Sequence, residues 1–201
     1  MRNGAERCKI MIAGVGGQGI VYLSNLIVEA AVASGVPASV SEIHGLSQRS
    51  GIVTSGIGLG EHCTGFLARA SIDLLFGLEA LETQRCLPWL HRNSSVVFCN
   101  HRLLPHAVNA GTAEYPDPDK LASYLQSHCK EVIYIDTHKA PFKAIHLNLF
   151  CLGAAAGMDQ FPLDAVAIEE ALSRIVAPGN LEKSLAVFRK GLDYERKANC
   201  L

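Results

Sequence analysis

The sequence predicts an α/β fold, in which an open and mostly parallel sheet carries helices on both faces. Short apolar runs that are typical of buried strands alternate along the chain with longer segments of helical periodicity. Apolar residues make up 49% of the 201 residues and charged residues 18%, so the composition supplies a buried core. This length favours one domain, and we expect residues 1–201 to form a single unit.

The predicted strands and helices follow one another in near alternation. Apolar or alternating runs predict strands at residues 8–13, 38–43, 72–77, 94–100 and 131–137. Helical spacing of apolar residues predicts helices at residues 18–34, 79–90, 119–129, 142–156, 164–175 and 180–198.

One segment does not fit a simple alternation of strands and helices. Residues 52–60, IVTSGIGLG, alternate weakly and contain three glycines. Together with residues 64–70, TGFLARA, they predict a β-hairpin that turns at EHC. We therefore expect an inserted hairpin near residues 52–70.

The first predicted strand runs directly into a glycine-rich turn that opens the first helix. Gly14, Gly16, Gly17 and Gly19 lie within six residues, and glycine adopts positive φ without a Cβ clash. A helix that begins here presents free N–H groups and a partial positive charge, which together bind anions. Gln18 adds an amide that can donate to a phosphate or clamp a neighbouring loop.

Three interpretations of this turn remain open on the residues alone. The first is an anion or nucleotide site. The second is a Rossmann-like dinucleotide site, because Gly14-x-Gly16-x-x-Gly19 has the fingerprint spacing and Glu42 ends the next predicted strand. Against it, Glu42 runs into a polar loop and not into a second crossover helix. The third is a tight turn that binds no ligand.

A second polar loop, SEIHGLSQRSG, follows the second predicted strand at residues 41–51. Its candidate functional residues are Glu42, His44, Ser47, Gln48 and Arg49. Arg49 could bind a phosphate or carboxylate through two hydrogen bonds, His44 could transfer a proton, and Glu42 could orient either. Loops that follow strands of an α/β sheet gather at one edge, so this loop can face the glycine turn. Alternatively, these side chains satisfy one another or a subunit contact.

Charge and cysteine spacing exclude several classes of function. The formal net charge is −1 without long runs of one sign, so we expect no nucleic-acid or membrane partner. No apolar run is long enough for a membrane span, and we expect no signal peptide. The seven cysteines lack the close spacing of zinc or iron–sulfur ligands, so we predict no metal site. Scattered thiols favour a reduced, cytoplasmic setting.

Three stretches together resemble one known family. GVGGQGI, SEIHGLSQRSG and LLFGLEALE are similar to the gamma-type subunit or domain of 2-oxoacid:ferredoxin oxidoreductases. Within that family the chain resembles the small (beta) subunits that serve indolepyruvate ferredoxin oxidoreductases. The likeness covers most of the chain and is strongest in residues 9–100.

The resemblance implies an enzyme that acts only when assembled. In that family a large (alpha) subunit carries thiamine diphosphate, magnesium and [4Fe-4S] clusters. The subunits together decarboxylate an arylpyruvate oxidatively, form an acyl-CoA and reduce ferredoxin. The small subunit would hold no redox centre, complete the active-site cleft and help to bind coenzyme A.

The resemblance also implies roles for individual residues. Coenzyme A phosphates would lie at the residues of the glycine turn, namely Gly14, Gly16, Gly17, Gln18 and Gly19. Glu42, His44 and Arg49 would be catalytic in the shared cleft, and Ser47 and Gln48 would bind the cofactor beside them. Two features depart from the family pattern. Ser50 stands where family loops have glycine, and SGIGLG lacks the expected basic residue. Two other functions stay open: a self-sufficient NAD(P)-dependent oxidoreductase that uses Glu42, and a scaffold subunit with an empty glycine turn.

Overall fold

The computed structural model describes residues 7–44, 52–104, 106–112, 114–139 and 143–198. Within these ranges the strands are β1 (Cys8–Val15), β2 (Ala38–His44), β3 (Ile52–Leu59), β4 (Leu74–Gly77), β5 (Ser95–Cys99) and β6 (Glu131–Ile135). They form one sheet in the order β2-β3-β1-β4-β5-β6. Strands β1, β4, β5 and β6 pair in parallel, whereas β3 runs antiparallel to both of its neighbours. The predicted α/β class with a mostly parallel sheet is confirmed.

Helices cover both faces of this sheet, as predicted. The helices are α1 (Ile20–Ala33), α2 (Ala80–Arg85), α3 (His106–Asn109), α4 (Pro118–His128), α5 (Leu147–Gly157), α6 (Ala165–Ile175) and α7 (Pro178–Ala198). One face of β1, with Ile10 and Ile12, packs into the larger apolar cluster beneath α1, α5, α6 and α7. The opposite face, with Met11 and Ala13, packs into a smaller cluster beneath α2 and α4. None of the helices in the described ranges is both long and apolar enough to cross a membrane.

The predicted pairing of residues 52–60 with residues 64–70 is wrong. Strand β3 pairs with β2 on one side and with β1 on the other, and residues 64–70 contain no strand. The hairpin is therefore formed by β2 and β3, which lie next to each other in the chain. In the sheet, β3 lies between β1 and β2. In the chain, however, β1 and β2 are consecutive strands joined by α1.

The glycines of β3 have a packing role that explains this error. A Cβ on Gly56 would lie 2.2 Å from the Gly65 carbonyl oxygen, and one on Gly58 would lie 2.6 Å from the Thr64 carbonyl oxygen. Residues 64 and 65 thus run directly against the bare backbone of β3. Glycine inside a strand often marks such a close approach of another backbone segment.

Two predicted helices are shorter than the sequence pattern suggested. The predicted helix 79–90 is α2 followed by a 3-10 turn, Leu87–Trp89, in which Pro88 lacks the N–H that a continuing helix needs. In the region of the predicted helix 142–156, a 3-10 turn, Ala144–His146, comes first and α5 follows it.

Helices α5 and α7 cross at a very short distance. A Cβ on Gly153 would lie 2.0 Å from the Phe188 carbonyl oxygen, and one on Gly191 would lie 2.1 Å from the Phe150 carbonyl oxygen. Each helix therefore places a glycine against the backbone of the other. This contact packs the backbone of α7 directly against α5.

Candidate functional site

The glycine turn follows β1 at the carboxyl end of the parallel strands. From β1 the chain passes through α1 to β2, which lies on one side of β1 in the sheet. Strand β4 lies on the other side of β1. At such a reversal of strand order, the connections leave in opposite directions and open a crevice at the carboxyl ends of the strands. We call this position at the sheet edge the crevice, where Gly16 and Gly17 follow β1 and Leu78 and Glu79 follow β4.

The turn presents uncovered backbone at the start of α1. Gly16 and Gly17 are exposed, and a Cβ built on either would meet no atom within 4 Å. Gly17 has a φ of 94° and Gly19, the N-cap of α1, has a φ of 73°, both in the left-handed region that favours glycine. Among the described residues no side chain caps α1, and the first turn of this helix contains no acidic residue. Within the part of the chain that the structure describes, the first N–H groups of the helix therefore have no capping side chain, and no acid of the first turn balances their partial positive charge.

Gln18 holds this turn in place. The N–H of Val15 donates to its Oε1 atom at 2.9 Å, and its Nε2 atom donates to the Leu78 carbonyl at 2.8 Å. The side chain thus bridges the ends of β1 and β4. A Cβ on Gly14 would lie 2.4 Å from Oε1, which explains why that position lacks a side chain. In this conformation both polar ends of the amide bind backbone, so the side chain of Gln18 fixes the shape of the turn.

Asn148 of α5 supports the turn from the other side, and sequence reasoning missed it. Its Nδ2 atom donates to the Gly19 carbonyl at 3.3 Å, while its Oδ1 atom accepts the N–H of Leu149 at 2.8 Å. The side chain is buried, and a Cβ on Gly19 would lie 2.4 Å from Nδ2. Because Asn148 and Gly19 are 129 positions apart, no local sequence signal links them.

Glu79 organises the other wall of the crevice. Its side chain is buried and caps α2, since its Oε2 atom accepts the N–H of Glu82 at 2.9 Å. Its Oε1 atom accepts the N–H of Leu103 at 3.2 Å and also the hydroxyl of Tyr115. Burial, and then the hydrogen bond to Glu79, raise the pKa of the Tyr115 hydroxyl, which therefore stays protonated. The sequence segment LLFGLEALE showed an acid after the strand without indicating this capping role.

The second polar loop begins at the same sheet edge as the glycine turn. Strands β1 and β2 run in the same direction, and His44 is in register with Val53, which is in register with Gly14. A strand spacing of about 4.8 Å places the backbones of His44 and Gly14 about 10 Å apart. The side chain of His44 and the whole of Ser47, Gln48 and Arg49 lie outside the described residues.

Glu42 lies on β2, which β3 separates from β1 in the sheet. It is exposed, and it is in register with Ser55, two positions before the end of the strand. In a dinucleotide-binding fold the acid that binds the ribose ends the strand next to β1. Here β3 lies between β1 and β2, so the sheet order does not favour the NAD(P) interpretation.

A separate cavity of about 620 Å³ opens near the ends of β5 and β6. Its polar groups largely satisfy one another: Asn100 donates to Asp136 at 2.9 Å, and Lys139 lies 3.2 Å from the same carboxylate. The hydrogen bond from Asn100 is the main reason that the pKa of Asp136 lies below its usual range. Internal pairing of this kind indicates a structural network that fastens the ends of two neighbouring strands.

The described cysteines do not form a metal centre. Among the described residues, no group of three His, Cys, Asp or Glu side chains could hold a metal ion. Cys8, Cys63, Cys86, Cys99, Cys129 and Cys151 are free thiols. Burial raises the pKa of Cys86 to about 12, so this thiol stays protonated and unreactive at neutral pH.

The chain matches one protein-family model and several curated relatives over most of its length. The family model for pyruvate ferredoxin/flavodoxin oxidoreductase matches residues 9–194. The indolepyruvate oxidoreductase subunit IorB of Methanothermobacter thermautotrophicus is 32% identical over 185 residues, which cover 90% of this chain and 94% of that protein. The IorB subunit of Archaeoglobus fulgidus is 28% identical, over 92% of this chain and 94% of that protein.

Solved structures share the fold. The gamma subunit of a keto/oxoacid ferredoxin oxidoreductase from Geobacter sulfurreducens superposes with a TM-score of 0.65 and 19% identity, covering 94% of this chain and 99% of that one. A second structure is the 2-oxoglutarate:ferredoxin oxidoreductase of Magnetococcus marinus, solved with 2-oxoglutarate, coenzyme A and succinyl-CoA bound. It superposes with a TM-score of 0.65 and 16% identity, and the match covers 96% of this chain and 31% of that one. The chain belongs to the pyruvate ferredoxin/flavodoxin oxidoreductase family, in which it is similar to the IorB subunits of indolepyruvate oxidoreductases.

Proposed function

We propose that the chain is the non-redox subunit of a thiamine diphosphate-dependent 2-oxoacid:ferredoxin oxidoreductase that acts on indolepyruvate or a related arylpyruvate. Its relatives are named as subunits of indolepyruvate oxidoreductases, and the match extends over nine-tenths of both chains. In this proposal a large partner subunit holds thiamine diphosphate, magnesium and the clusters, and ferredoxin accepts the electrons. This chain supplies binding and orientation.

The glycine turn is the proposed contact with coenzyme A. The observation that carries this proposal is the pair of exposed glycines, Gly16 and Gly17, before the uncapped amino terminus of a 14-residue helix. A pyrophosphate can approach this backbone closely and accept hydrogen bonds from several N–H groups. Bound coenzyme A would supply the thiol that takes up the acyl group. The chain's own contribution would be to hold the phosphates, with Gln18 and Asn148 fixing the conformation of the turn.

The proposed interface with the large subunit surrounds the same edge. Ile145 is 79% exposed and lies three residues before Asn148, which contacts the glycine turn. Leu103 and Leu104 are exposed beside Glu79, and Val21 is exposed in the first turn of α1. Exposed apolar side chains around a crevice are typical of protein–protein contacts. Their arrangement supports a partner that closes the crevice and completes the cleft. Glu42, His44 and Arg49 stay proposed catalytic residues of that shared cleft, and Ser47 and Gln48 stay proposed cofactor contacts.

Reconstitution tests the proposed assembly. We expect the purified chain alone to reduce no viologen dye with indolepyruvate and coenzyme A, whereas the chain co-expressed with its large subunit reduces the dye. Dye reduction by the lone chain would contradict the proposal. So would full activity of the large subunit without this chain.

A pair of matched variants tests the position of the interface. Val32 lies 11 residues after Val21 on α1, about 16 Å further along the helix and away from the crevice, and it is 62% exposed. We expect Ile145→Lys to weaken association with the large subunit at least about tenfold, because a charge replaces an apolar contact. Val32→Lys should change association less than about twofold. Equal effects of the two variants would place the interface elsewhere.

A further inference from the structure

We infer that Cys99 and Cys151 form a redox-sensitive cross-link, in which hydrogen peroxide converts the two thiols into a disulfide that ties β5 to α5. Cys99 is the last residue of β5, and Cys151 lies in the middle of α5. Their Sγ atoms lie 3.1 Å apart, although the two residues are 52 positions apart in the chain. The pair lies in the core of this chain, so the inference does not depend on the proposed assembly.

The two sulfur atoms already lie close to bonding distance. A disulfide bond is about 2.05 Å long, so closure requires a further approach of only about 1 Å. Both side chains are fully buried in the larger apolar cluster, where one thiol donates to the sulfur of the other. Burial, and then the hydrogen bond to Cys99, raise the pKa of the Cys151 thiol. The pair is therefore a dithiol until an oxidant reaches it.

A cavity brings a small oxidant to within one layer of residues from the pair. Asn100 and Phe150, the chain neighbours of Cys99 and Cys151, line the cavity of about 620 Å³ at the ends of β5 and β6. Tyr194 of α7 also lines this cavity and is half-buried. Burial raises the pKa of the Tyr194 hydroxyl and Cys99 adds to this shift, so the hydroxyl stands near the pair as well. A local opening at Tyr194 would therefore admit hydrogen peroxide, which is little larger than water.

The oxidation takes place in two balanced steps. The thiolate sulfur of one cysteine attacks a peroxide oxygen, so an S–O bond forms, the O–O bond breaks, and hydroxide leaves and takes up the thiol proton as water. The sulfur of the second cysteine then attacks the sulfenic sulfur, so the S–S bond forms, the S–O bond breaks and a second water leaves. The two thiols lose two electrons and two protons, and the peroxide is reduced to water by the same electrons. Direct contact between the sulfur atoms favours this second step over further oxidation of the sulfenic acid.

The disulfide acts on the glycine turn through α5. Asn148 lies three residues before Cys151 on this helix, and its side chain donates to the Gly19 carbonyl at 3.3 Å. A covalent bond between α5 and β5 therefore restrains the helix that supports the turn. The bond also joins residues 52 positions apart, and closing a long loop strongly restricts the unfolded chain. Oxidation should thus stabilise the fold and keep α5 in place beside the glycine turn.

Peptide mapping of the full-length chain tests the inference. The reduced chain is treated with millimolar hydrogen peroxide, unfolded, alkylated and digested without reductant. We expect a linked pair of peptides that contains Cys99 and Cys151. We also expect the Tm of the oxidised chain to rise by at least about 4 °C and amide hydrogen exchange in α5 to slow at least about fivefold, with both changes reversed by dithiothreitol.

Three results would overturn the inference. The first is alkylation of both thiols after the treatment, and the second is oxidation of either one without a link between them. The third is a linked pair of peptides without a rise in Tm, because the bond would then not restrain the fold.

Variants assign the rise in Tm to this pair of cysteines. In Cys151→Ala the second sulfur is absent, so peroxide should produce no linked peptide at Cys99 and no rise in Tm. The control Cys86→Ala removes another buried thiol, which belongs to the smaller cluster on the opposite face of the sheet, and should keep both the link and the rise. If Cys151→Ala shows the same rise as the unaltered chain, the stabilisation has another origin and the inference is wrong. Peptide mapping of the unaltered chain decides the matter even if a variant fails to fold.

Discussion

Replacing the glycine that caps α1 should destabilise the fold far more than replacing the glycine three positions earlier. In Gly19→Ala the new Cβ stands 2.4 Å from the Asn148 Nδ2 atom, and the backbone keeps a φ of 73°. Alanine in the left-handed region costs about 1–2 kcal/mol. Moving the buried Asn148 breaks its 3.3 Å hydrogen bond to Gly19, which costs about 1–2 kcal/mol more.

The unfolded state reduces this cost only partly. Alanine restricts the unfolded chain more than glycine does, and this raises the free energy of unfolding by about 0.4–1 kcal/mol. We therefore expect Gly19→Ala to lower the free energy of unfolding by about 2–3 kcal/mol. Gly16→Ala meets no atom within 4 Å at an exposed position, so we expect a change within about 0.5 kcal/mol.

Urea denaturation of the isolated chain, followed by circular dichroism, measures this difference. For a chain of this length, 2–3 kcal/mol corresponds to a fall in Tm of roughly 4–12 °C, which thermal denaturation checks independently. If Gly19→Ala is as stable as the unaltered chain, the left-handed N-cap and its contact with Asn148 are both wrong. If Gly16→Ala is equally destabilised, the turn is not open to solvent as described.

Two further predictions concern the helix crossing and the buried carboxylate. Gly153→Ala should lower the free energy of unfolding by about 2–4 kcal/mol, because its Cβ would lie 2.0 Å from a carbonyl oxygen of α7. In the control Gly179→Ala a Cβ meets no atom within 4 Å, so the free energy of unfolding should change by less than about 1 kcal/mol. Equal denaturation midpoints of the two variants would refute the close crossing of α5 and α7. The stability of Glu82→Gln relative to the unaltered chain should increase as the pH rises through the window between the usual glutamate pKa of 4.5 and the raised pKa of the folded state. Burial raises the folded pKa of Glu82 above its usual value of 4.5, so within that window the folded state binds more protons and the unaltered chain loses stability with rising pH. A pH-independent difference in urea denaturation would contradict this reasoning.

The local path of the chain was largely predictable from sequence. Strands bury continuous apolar runs, and the five strands predicted from single runs end within two residues of the observed bounds. The glycine turn was located because the reversal from β1 into α1 requires positive φ, and Gly17 and Gly19 adopt it. These features depend on neighbouring residues, which is why composition and spacing identify them.

Contacts between distant segments were not predictable in this way. Residues 52–60 and 64–70 predicted a hairpin that turns at EHC, whereas Gly56 and Gly58 of β3 allow the backbone of residues 64 and 65 to lie directly against the strand. Gln18 bonds to Leu78, 60 positions away, so its clamping role could be foreseen only as one of two options. Nothing in the sequence indicated the role of Asn148, because its partner Gly19 lies 129 positions away in the chain. The order of strands could not be predicted either, because it depends on pairing energies over the whole sheet. In the observed order β3 lies between β1 and β2, so the strand that carries Glu42 is not the neighbour of the strand that ends at the glycine turn.

The position of coenzyme A in the assembled enzyme tests the central claim most directly. A crystal structure of the chain with its large subunit and coenzyme A should place a phosphate oxygen within about 3 Å of backbone nitrogens of Gly17, Gly19, Ile20 or Val21. The N–H of Gln18 is not among them, because it donates to the Val15 carbonyl. In the same complex, Gly16→Ala should raise the KM for coenzyme A at least about fivefold and leave the fold unchanged, because its Cβ occupies the approach to those nitrogens. Coenzyme A bound wholly to the other subunit, with the glycine turn empty, would contradict the account.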